Sequence, residues 1–102
     1  MLFLVYYELN PSLDPTGILN AYQKIQEAEI KQEKWDVKGW YITPEHWGVA
    51  IVDTDSVDDV LINANAWRIA LPGLFMKYKI SPVKEVEDSV PILAKLVRKL
   101  KK

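Results

Sequence analysis

Apolar residues recur along this chain with two different periods, and the changes between them mark the elements. Residues 2–9 are apolar and aromatic almost throughout and stop at an Asn-Pro pair, which is typical of a strand buried on both faces. Asp14 and Pro15 then supply an N-cap and a first helical position. We predict a helix from there to about Gln32, whose apolar stripe is Ile18, Ala21, Tyr22, Ile25 and Ala28.

The middle of the chain predicts a hairpin followed by a second helix. Residues 37–43 and 47–54 are rich in β-formers, and a short loop containing Glu45 separates them. Ser56 with Asp59 three positions later resembles a capping box, which begins the second helix. A Pro-Gly pair ends that helix, and its predicted core stripe is Val57, Val60, Leu61, Ala64, Trp67 and Leu71.

The end of the chain predicts a fourth strand and a third helix. Strict alternation over residues 74–80 places Phe75, Lys77 and Lys79 on one face, and on the other Leu74, Met76, Tyr78 and Ile80. A last amphipathic helix, opened by Pro91, is expected over about residues 89–101. The element order predicts an α+β, ferredoxin-like βαββαβ sandwich with a four-stranded antiparallel sheet and an extra C-terminal helix. We expect one domain over residues 1–102, with its core at about 1–85.

Composition excludes several classes of function. The chain of 102 residues has no cysteine, so disulfides, thiolate nucleophiles and cysteine-based metal sites are excluded, and the single His46 excludes a multi-histidine metal site. The net charge of -1 argues against nucleic acid as the main partner. No apolar run approaches the roughly 20 residues that span a membrane, and the N-terminal run lacks the features of a signal peptide. We therefore expect a cytoplasmic protein with no cofactor, metal or membrane partner.

Charge is distributed unevenly along the chain. Residues 73–102 contain eight Lys or Arg and three Asp or Glu, whereas the preceding residues carry a net charge of -6. A basic C-terminal helix can contact anionic membranes or RNA, but cations near a helix C-terminus also complement its dipole, and we favour the second interpretation. RNA recognition by this strand order needs stacking aromatics on the third strand, where residues 49–52 are aliphatic.

The predicted strands are too apolar for a sheet that is covered on one face only. In the first strand, Leu2, Leu4 and Tyr6 alternate with Phe3, Val5 and Tyr7. In the second strand, strict alternation places Trp40 and Ile42 opposite Val37 and Tyr41. A sheet that is apolar on both faces must be covered twice. The helices cover one face, and we predict that a second copy covers the other, giving a homodimer through the sheet.

Four apolar motifs carry a family resemblance. They are the opening Met1-Leu2-Phe3-Leu4-Val5, Gly39-Trp40, Trp67, and Tyr78-Lys79-Ile80-Ser81-Pro82-Val83. On these motifs the chain resembles the dimeric α/β-barrel superfamily, whose ferredoxin-like protomers pack sheet to sheet. Within that group it is most similar to a small uncharacterised family of domains of unknown function, about ninety residues long. The resemblance implies a fold and a dimer, and it carries no established chemistry to any residue.

Four side chains are candidates for ligand binding: Trp40, Lys77, Lys79 and Tyr6. If the lysines line a space between two sheets, they can hold an anion such as a carboxylate. The alternative is that they lie at a sheet edge, where lysines discourage aggregation. The aromatic side chains suit an apolar ligand cavity, although packing of the core and of a dimer explains most of them. The exception that we favour as a ligand contact is Trp40, which we expect to lie near Glu8 or the lysines.

His46 and Glu8 are weak candidates for catalysis. Histidine changes its charge near neutral pH, so His46 can act as an acid or base at the mouth of a pocket. A lone histidine in a hairpin loop is more often a solvated turn residue. The sequence therefore predicts a homodimer that binds a small apolar or anionic molecule between its sheets. The alternative is a cofactor-independent isomerase or monooxygenase that uses His46, Glu8 or a tyrosine for proton transfer.

Overall fold

The computed structural model describes residues 1–30 and 34–101. The elements run in the order β1 (Leu2–Leu9), α1 (Pro15–Glu27), β2 (Asp36–Ile42), β3 (Trp47–Asp53), α2 (Val57–Ala70), β4 (Phe75–Pro82) and α3 (Val86–Leu100). The four strands form an antiparallel sheet in the order β2-β3-β1-β4. The structure confirms the predicted ferredoxin-like α+β fold with an additional C-terminal helix.

The two faces of the sheet have different surroundings. Helices α1 and α2 pack on one face, here called the helix face, where the buried core comprises Val5, Tyr7, Leu9, Ala50, Val52 and Leu74. At the β2 edge of this face, Val37, Trp40 and Ile42 remain between 46% and 59% exposed. The opposite face, here called the open face, presents the alternate residues to solvent, because successive strand residues point to opposite sides. The register places the following side chains there: Leu4, Tyr6, Glu8, Tyr41, Trp47, Val49, Ile51, Lys77 and Lys79.

A β-bulge in β2 changes the predicted direction of one side chain. Val37 pairs with Val52 of β3, and the regular ladder resumes at Gly39, so Lys38 is an extra residue. The bulge turns Val37 to the helix face, where it lies on the same side as Trp40. The prediction that these two residues lie on opposite faces was wrong, because strict alternation does not anticipate an inserted residue.

A second irregularity affects the start of β4. Leu9 pairs with Phe75, whereas the preceding Glu8 pairs with Lys77, so Met76 has no partner in the ladder. Phe75 therefore packs against the core, and Met76 is 65% exposed. The sequence assigned Met76 to the core and Phe75 to the other face; the bulge reverses both assignments.

Helix α1 is shorter than predicted. It ends at Glu27 with Ala28 as its C-cap, and Glu29 has a φ of 48°. A residue in this left-handed region cannot continue a right-handed helix, so the end predicted near Gln32 was too late. Gln32 itself lies outside the described residues, which omit 31–33.

Helix α2 is rotated relative to the predicted stripe. Val60, Ala64 and Trp67 face inward as predicted, but Val57 and Leu61 are 71% and 56% exposed. Asp59 is buried instead, and one of its carboxylate oxygens accepts a hydrogen bond of 3.2 Å from the backbone N–H of Lys34. The first turn of α2 therefore presents Asp59 to the interior of the protein. Val57 and Leu61 lie on the other side of the helix, in solvent.

Half of the predicted capping box of α2 is present: Ser56 caps the helix, but its own N–H donates to Thr54 Oγ1 at 3.1 Å and not to Asp59. The Ser56 hydroxyl accepts a hydrogen bond of 3.2 Å from the Asp59 N–H. We expect Ser56→Ala to lower the free energy of unfolding by about 1 kcal/mol, because a helix N–H loses its acceptor. Urea denaturation measures the change. Ser56→Asp retains an acceptor and serves as control; an equal loss in both variants would show that capping is not the cause.

Helix α3 differs from its prediction at its first turn. It begins at Val86, and Pro91 lies inside it rather than opening it. Glu85 is the N-cap residue, and its side chain makes no capping hydrogen bond. Proline inside a helix removes one backbone hydrogen bond, so α3 is a weak helix by its own sequence.

Candidate functional site

A cavity of about 280 Å³ lies between the helix face of the sheet and helices α1 and α2. Aliphatic side chains form most of its wall, together with the aromatic residues Tyr7, Trp35, Trp40, Trp67, Phe75 and Tyr78. The described residues that line it include no Asp, Glu, His, Lys or Arg; Gln26 and Asn63 supply the amides. The cavity exceeds the roughly 150 Å³ that holds benzene in an apolar protein interior, so it suits a small, mainly apolar molecule.

The hydroxyl of Tyr7 holds two strands together on one side of this cavity. Trp40 Nε1–H donates to Tyr7 Oη at 3.0 Å, and Tyr7 Oη–H donates to the Tyr41 carbonyl at 2.8 Å. Burial raises the pKa of Tyr7, and the hydrogen bond from Trp40 opposes that shift. Tyr7 is therefore a neutral phenol whose donor is already used, and its role is to fix the position of Trp40.

Tyr78 lies directly opposite Tyr7 in the β1-β4 ladder and differs from it in one respect. Its hydroxyl oxygen is buried and has no hydrogen-bond partner in the described protein. Burial raises the pKa of Tyr78, and the nearby Arg68 cation opposes that shift. Buried polar groups in proteins nearly always have a partner, so the unpaired hydroxyl marks where a ligand group or a water molecule would bond.

Arg68 and Phe75 fix the Tyr78 ring from two sides. The Arg68 guanidinium carbon lies 5.3 Å from the Tyr78 ring centroid, within range of a cation–π contact. The Phe75 ring centroid is 4.9 Å away on the helix face. Both contacts restrict the ring, so the Tyr78 side chain has a fixed position among the residues that line the cavity.

Three aromatic rings form a further part of the site. Trp40 and Trp67 meet edge to face with their centroids 5.9 Å apart, and Tyr22 lies 6.3 Å from Trp40 and 6.2 Å from Trp67. Tyr22 is partly exposed, whereas both tryptophans line the cavity. The cluster joins α1, α2 and β2, so movement of these elements would change the cavity.

The other predicted ligand-binding residues lie on the open face. Tyr6 Oη–H donates to Glu8 Oε2 at 2.9 Å, and Lys77 Nζ is 4.0 Å from the same oxygen. This hydrogen bond to Glu8 is the main cause of the raised pKa of Tyr6. Lys79 pairs with Tyr6 across the β1-β4 ladder. The structure thus groups Tyr6, Glu8 and both lysines and places Trp40 on the opposite face, contrary to the prediction that Trp40 lies near them.

His46 lies in the β2-β3 hairpin and is not among the residues that line the cavity. It has a φ of 67°, its N–H donates to the Thr43 carbonyl at 3.1 Å, and its carbonyl accepts from Leu9 N–H at 2.8 Å. These backbone bonds give His46 a role in closing the hairpin and joining it to β1. Its side chain is exposed.

Tyr78 is the site residue that the sequence analysis did not identify. It was treated as one position in an alternating strand and as part of a motif of the family resemblance, and not as a candidate for the site. A tyrosine at an inward position of such a strand is a usable signal, because its hydroxyl must find a partner in the core. Whether the fold supplies that partner depends on the packing of α2 and β1, which the strand pattern does not contain.

The described part of the chain offers neither a candidate metal site nor a membrane-spanning helix. No group of three or more His, Cys, Asp or Glu side chains there is arranged to hold a metal ion. None of the helices found there is both long and apolar enough to cross a membrane.

Comparison with known proteins supports the fold and identifies a family. A NIPSNAP family protein of unknown function from Agrobacterium tumefaciens is 15% identical, with a TM-score of 0.50 over 82% of this chain and 86% of that chain. The 5-chloro-2-hydroxyhydroquinone dehydrochlorinase of Burkholderia phenoliruptrix, solved with 2,5-dihydroxybenzoquinone, is 22% identical. The match has a TM-score of 0.49 and covers 86% of this chain and 98% of that chain. At these identities the likeness concerns the fold alone.

No curated protein matches the chain. The model of one domain family matches residues 1–97. This confirms the predicted resemblance to a small uncharacterised family: the chain belongs to the domain family of unknown function DUF3303.

Proposed function

We propose that this protein is a homodimer, paired through its open face, that binds a small, neutral and mainly apolar molecule in the helix-face cavity. The observation that carries the proposal is the buried, unpaired hydroxyl of Tyr78, a residue that lines this mainly apolar cavity. An apolar cavity with a few fixed polar groups is the usual form of a small-molecule site. The proposal moves the binding site from between the sheets, where the sequence suggested it, to the side of the helices.

The cavity favours a neutral ligand over an anion. No cationic side chain is found among its described lining residues, and an anion that leaves water without a partner loses its hydration free energy. Because burial raises its pKa, Tyr78 remains protonated at neutral pH and can donate to an acceptor on the ligand. The surrounding rings favour a flat molecule through stacking and edge contacts.

The geometry gives less support to catalysis. Proton transfer at neutral pH needs a group that changes its charge in that range within reach of the substrate. The described lining contains only phenols as titratable groups, and the pKa values of both Tyr7 and Tyr78 are raised. His46 and Glu8 are not part of the lining. We therefore favour a binding protein over an isomerase or monooxygenase.

The open face supports the homodimer part of the proposal. Leu4, Trp47 and Ile51 are between 37% and 38% exposed, and Tyr41 is 62% exposed, so the face is apolar and in contact with solvent. Contiguous apolar surface of this kind marks an interaction site, and a second open face is complementary to it in chemistry. We propose that Lys77 and Lys79, on the edge strand β4, lie at the rim of that interface, where Lys77 stays near Glu8.

Binding is tested with naphthol as the probe and with the tryptophans of the cavity wall as reporters. We expect naphthol to change the tryptophan fluorescence of the wild type in a saturable way. Tyr78→Phe should weaken that binding about ten-fold, because one buried hydrogen bond is lost. The variant should fold as stably as the wild type or slightly more stably, because it removes a buried hydroxyl that has no protein partner.

Matched probes and a matched variant distinguish the contribution of the Tyr78 hydroxyl to affinity from that of general hydrophobic binding. Naphthalene has no oxygen, so its affinity should be unchanged by Tyr78→Phe, and naphthoate should bind at least ten-fold more weakly than naphthol. Tyr6→Phe removes a hydroxyl from the open face and should leave all three affinities unchanged. Equal binding of naphthol to the wild type and Tyr78→Phe would refute the assigned role of Tyr78, and absence of binding by all three probes would refute the cavity as a ligand site.

A further inference from the structure

Helix α3 is folded without contact to a core. Its seven large apolar side chains are between 47% and 79% exposed: Val86, Val90, Ile92, Leu93, Leu96, Val97 and Leu100. The radius of gyration is 17.2 Å, whereas a compact chain of this length has about 13 Å. A 15-residue helix that contains Pro91 is not stable alone in water, so it needs a surface on which to bury this face.

Most of these side chains form a narrow seam with heptad spacing. Val86, Val90, Leu93, Val97 and Leu100 follow one another at intervals of four, three, four and three residues. This spacing is that of the a and d positions of a coiled coil, with valine at a and leucine at the later d positions. A helix that packs on a sheet or on several helices usually presents a wider apolar face. The seam therefore favours another helix as its partner.

The charges of α3 determine the direction of that partner. The first turn contains Glu87 and Asp88, and the last turn and C-cap contain Arg98, Lys99 and Lys101. Two parallel copies would place like charges side by side, whereas two antiparallel copies place the acidic end of each beside the basic end of the other. The helix dipoles favour the same arrangement. A second copy of α3 is thus complementary to the first.

One antiparallel register satisfies both the seam and the charges. It places Leu93 opposite the partner's Val97 and Val90 opposite the partner's Leu100, and two-fold symmetry repeats both layers. At the flanking positions Glu87 then lies beside the partner's Lys101, and Leu96 lies beside its own symmetry copy. Charged flanking pairs of this kind set the orientation of coiled coils.

We propose that α3 pairs antiparallel with α3 of a second copy of this chain in that register. The pairing is separate from the open-face contact. If the open face and the α3 seam pair about the same two-fold axis, α3 enlarges the interface of the homodimer. If they pair about two different axes, α3 joins two homodimers into a tetramer. Pro91 lies outside the seam, so it weakens the free helix without blocking the contact.

Disulfide cross-linking tests the register directly, because the chain has no cysteine of its own. Full-length Leu93→Cys and Val97→Cys variants of different mass are oxidised singly and mixed. The antiparallel register predicts a cross-linked product between the two variants, because residues 93 and 97 face each other within disulfide reach. A product formed by Leu93→Cys with itself and not by the mixture would indicate parallel pairing and refute the proposal.

Charge reversal supplies an independent measurement. Glu87→Lys and Lys101→Glu should each weaken association about ten-fold in sedimentation equilibrium, because each replaces two attractive pairs with repulsive ones. The double variant should restore the wild-type constant. If α3 instead covers its own domain or an open face, no mixed cross-link forms and the double variant is no better than the single ones. Binding of α3 to vesicles of anionic phosphatidylglycerol without any cross-link would likewise refute the pairing.

These variants leave the open face unchanged. If the mixed cysteine variants form no cross-link but still sediment as a dimer, the α3 pairing alone is refuted, and the proposed sheet-to-sheet homodimer stands.

Discussion

Gly48→Ala should lower the free energy of unfolding by about 4 kcal/mol, the largest stability change that we expect from a single methyl group in this protein. Gly48 lies in β3 opposite Tyr7, and a Cβ there would collide with the Tyr7 ring and with the Tyr41 carbonyl oxygen. These two groups are joined by a hydrogen bond, so neither can move without breaking it. Overpacking and the lost bonds of a buried hydroxyl then add together.

Urea denaturation of Gly48→Ala and Gly17→Ala provides the measurement and its control. A Cβ at Gly17, in α1, meets no atom within 4 Å, so this variant should gain about 0.5–1 kcal/mol from helix propensity. With total stabilities of about 5–15 kcal/mol, Gly48→Ala should be near the limit of folding. A loss below about 1 kcal/mol for Gly48→Ala would show that Tyr7 is not fixed as described.

The Gly48 argument also concerns the binding site. Tyr7 positions Trp40 through a hydrogen bond, and Trp40 and Trp67 form adjoining walls of the cavity. A displaced Tyr7 would therefore change the cavity before the fold is lost. If Gly48→Ala folds at low temperature, it should bind naphthol more weakly than Gly17→Ala, which would connect the strand packing with the proposed function.

The sequence predicted the fold because its elements are strongly patterned. The apolar run of β1, the cap at Ser56 and the helical spacing of α2 each follow from local chemistry. The errors in which side chains were assigned to the wrong face of the sheet occurred where one residue is inserted into an edge strand. Lys38 and Met76 each shift the ladder by one position, and a shift of one residue exchanges the two faces of a strand.

The candidate site was predicted less well for the same reason. Assigning Trp40 to the group with Tyr6 and the lysines required knowledge of which face each strand presents, and the bulges and the strand order decide that. The sequence did indicate that the aromatic residues suit an apolar cavity. It contained no sign that one hydroxyl, that of Tyr78, would be buried without a partner, because this depends on contacts between β4, α2 and β1.

A substitution has different consequences on the two faces of the sheet. On the helix face a change of volume alters the core, as at Gly48. On the open face the same strand offers positions that are only partly buried in the isolated chain. Val49 is the central one, since it pairs with Tyr6 on one side and with Tyr41 on the other. A charge at this position should therefore disrupt association through the open face without disrupting folding.

Val49→Lys should break the open-face contact of the proposed homodimer while the chain remains folded, so that any association left is through α3. Two-fold symmetry brings two lysines into the centre of one interface, where each charge would be buried without a partner. We expect the dimer dissociation constant to rise at least about 1,000-fold, or about 4 kcal/mol, in sedimentation equilibrium. The far-UV circular dichroism spectrum should be unchanged, because the lysine of the free chain lies in water.

Ile69→Lys is the matched control for Val49→Lys. Ile69 is 78% exposed on α2, away from the sheet, so the same type of change there should leave the dissociation constant within about two-fold of the wild type, as is usual for a surface substitution. A dimer that tolerates Val49→Lys but not Ile69→Lys would place the interface on α2, and a wild type that sediments as a monomer would remove the open face as an interface. Since the residues that line the helix-face cavity all belong to one chain, naphthol binding by Val49→Lys would show that the site does not require the open-face dimer.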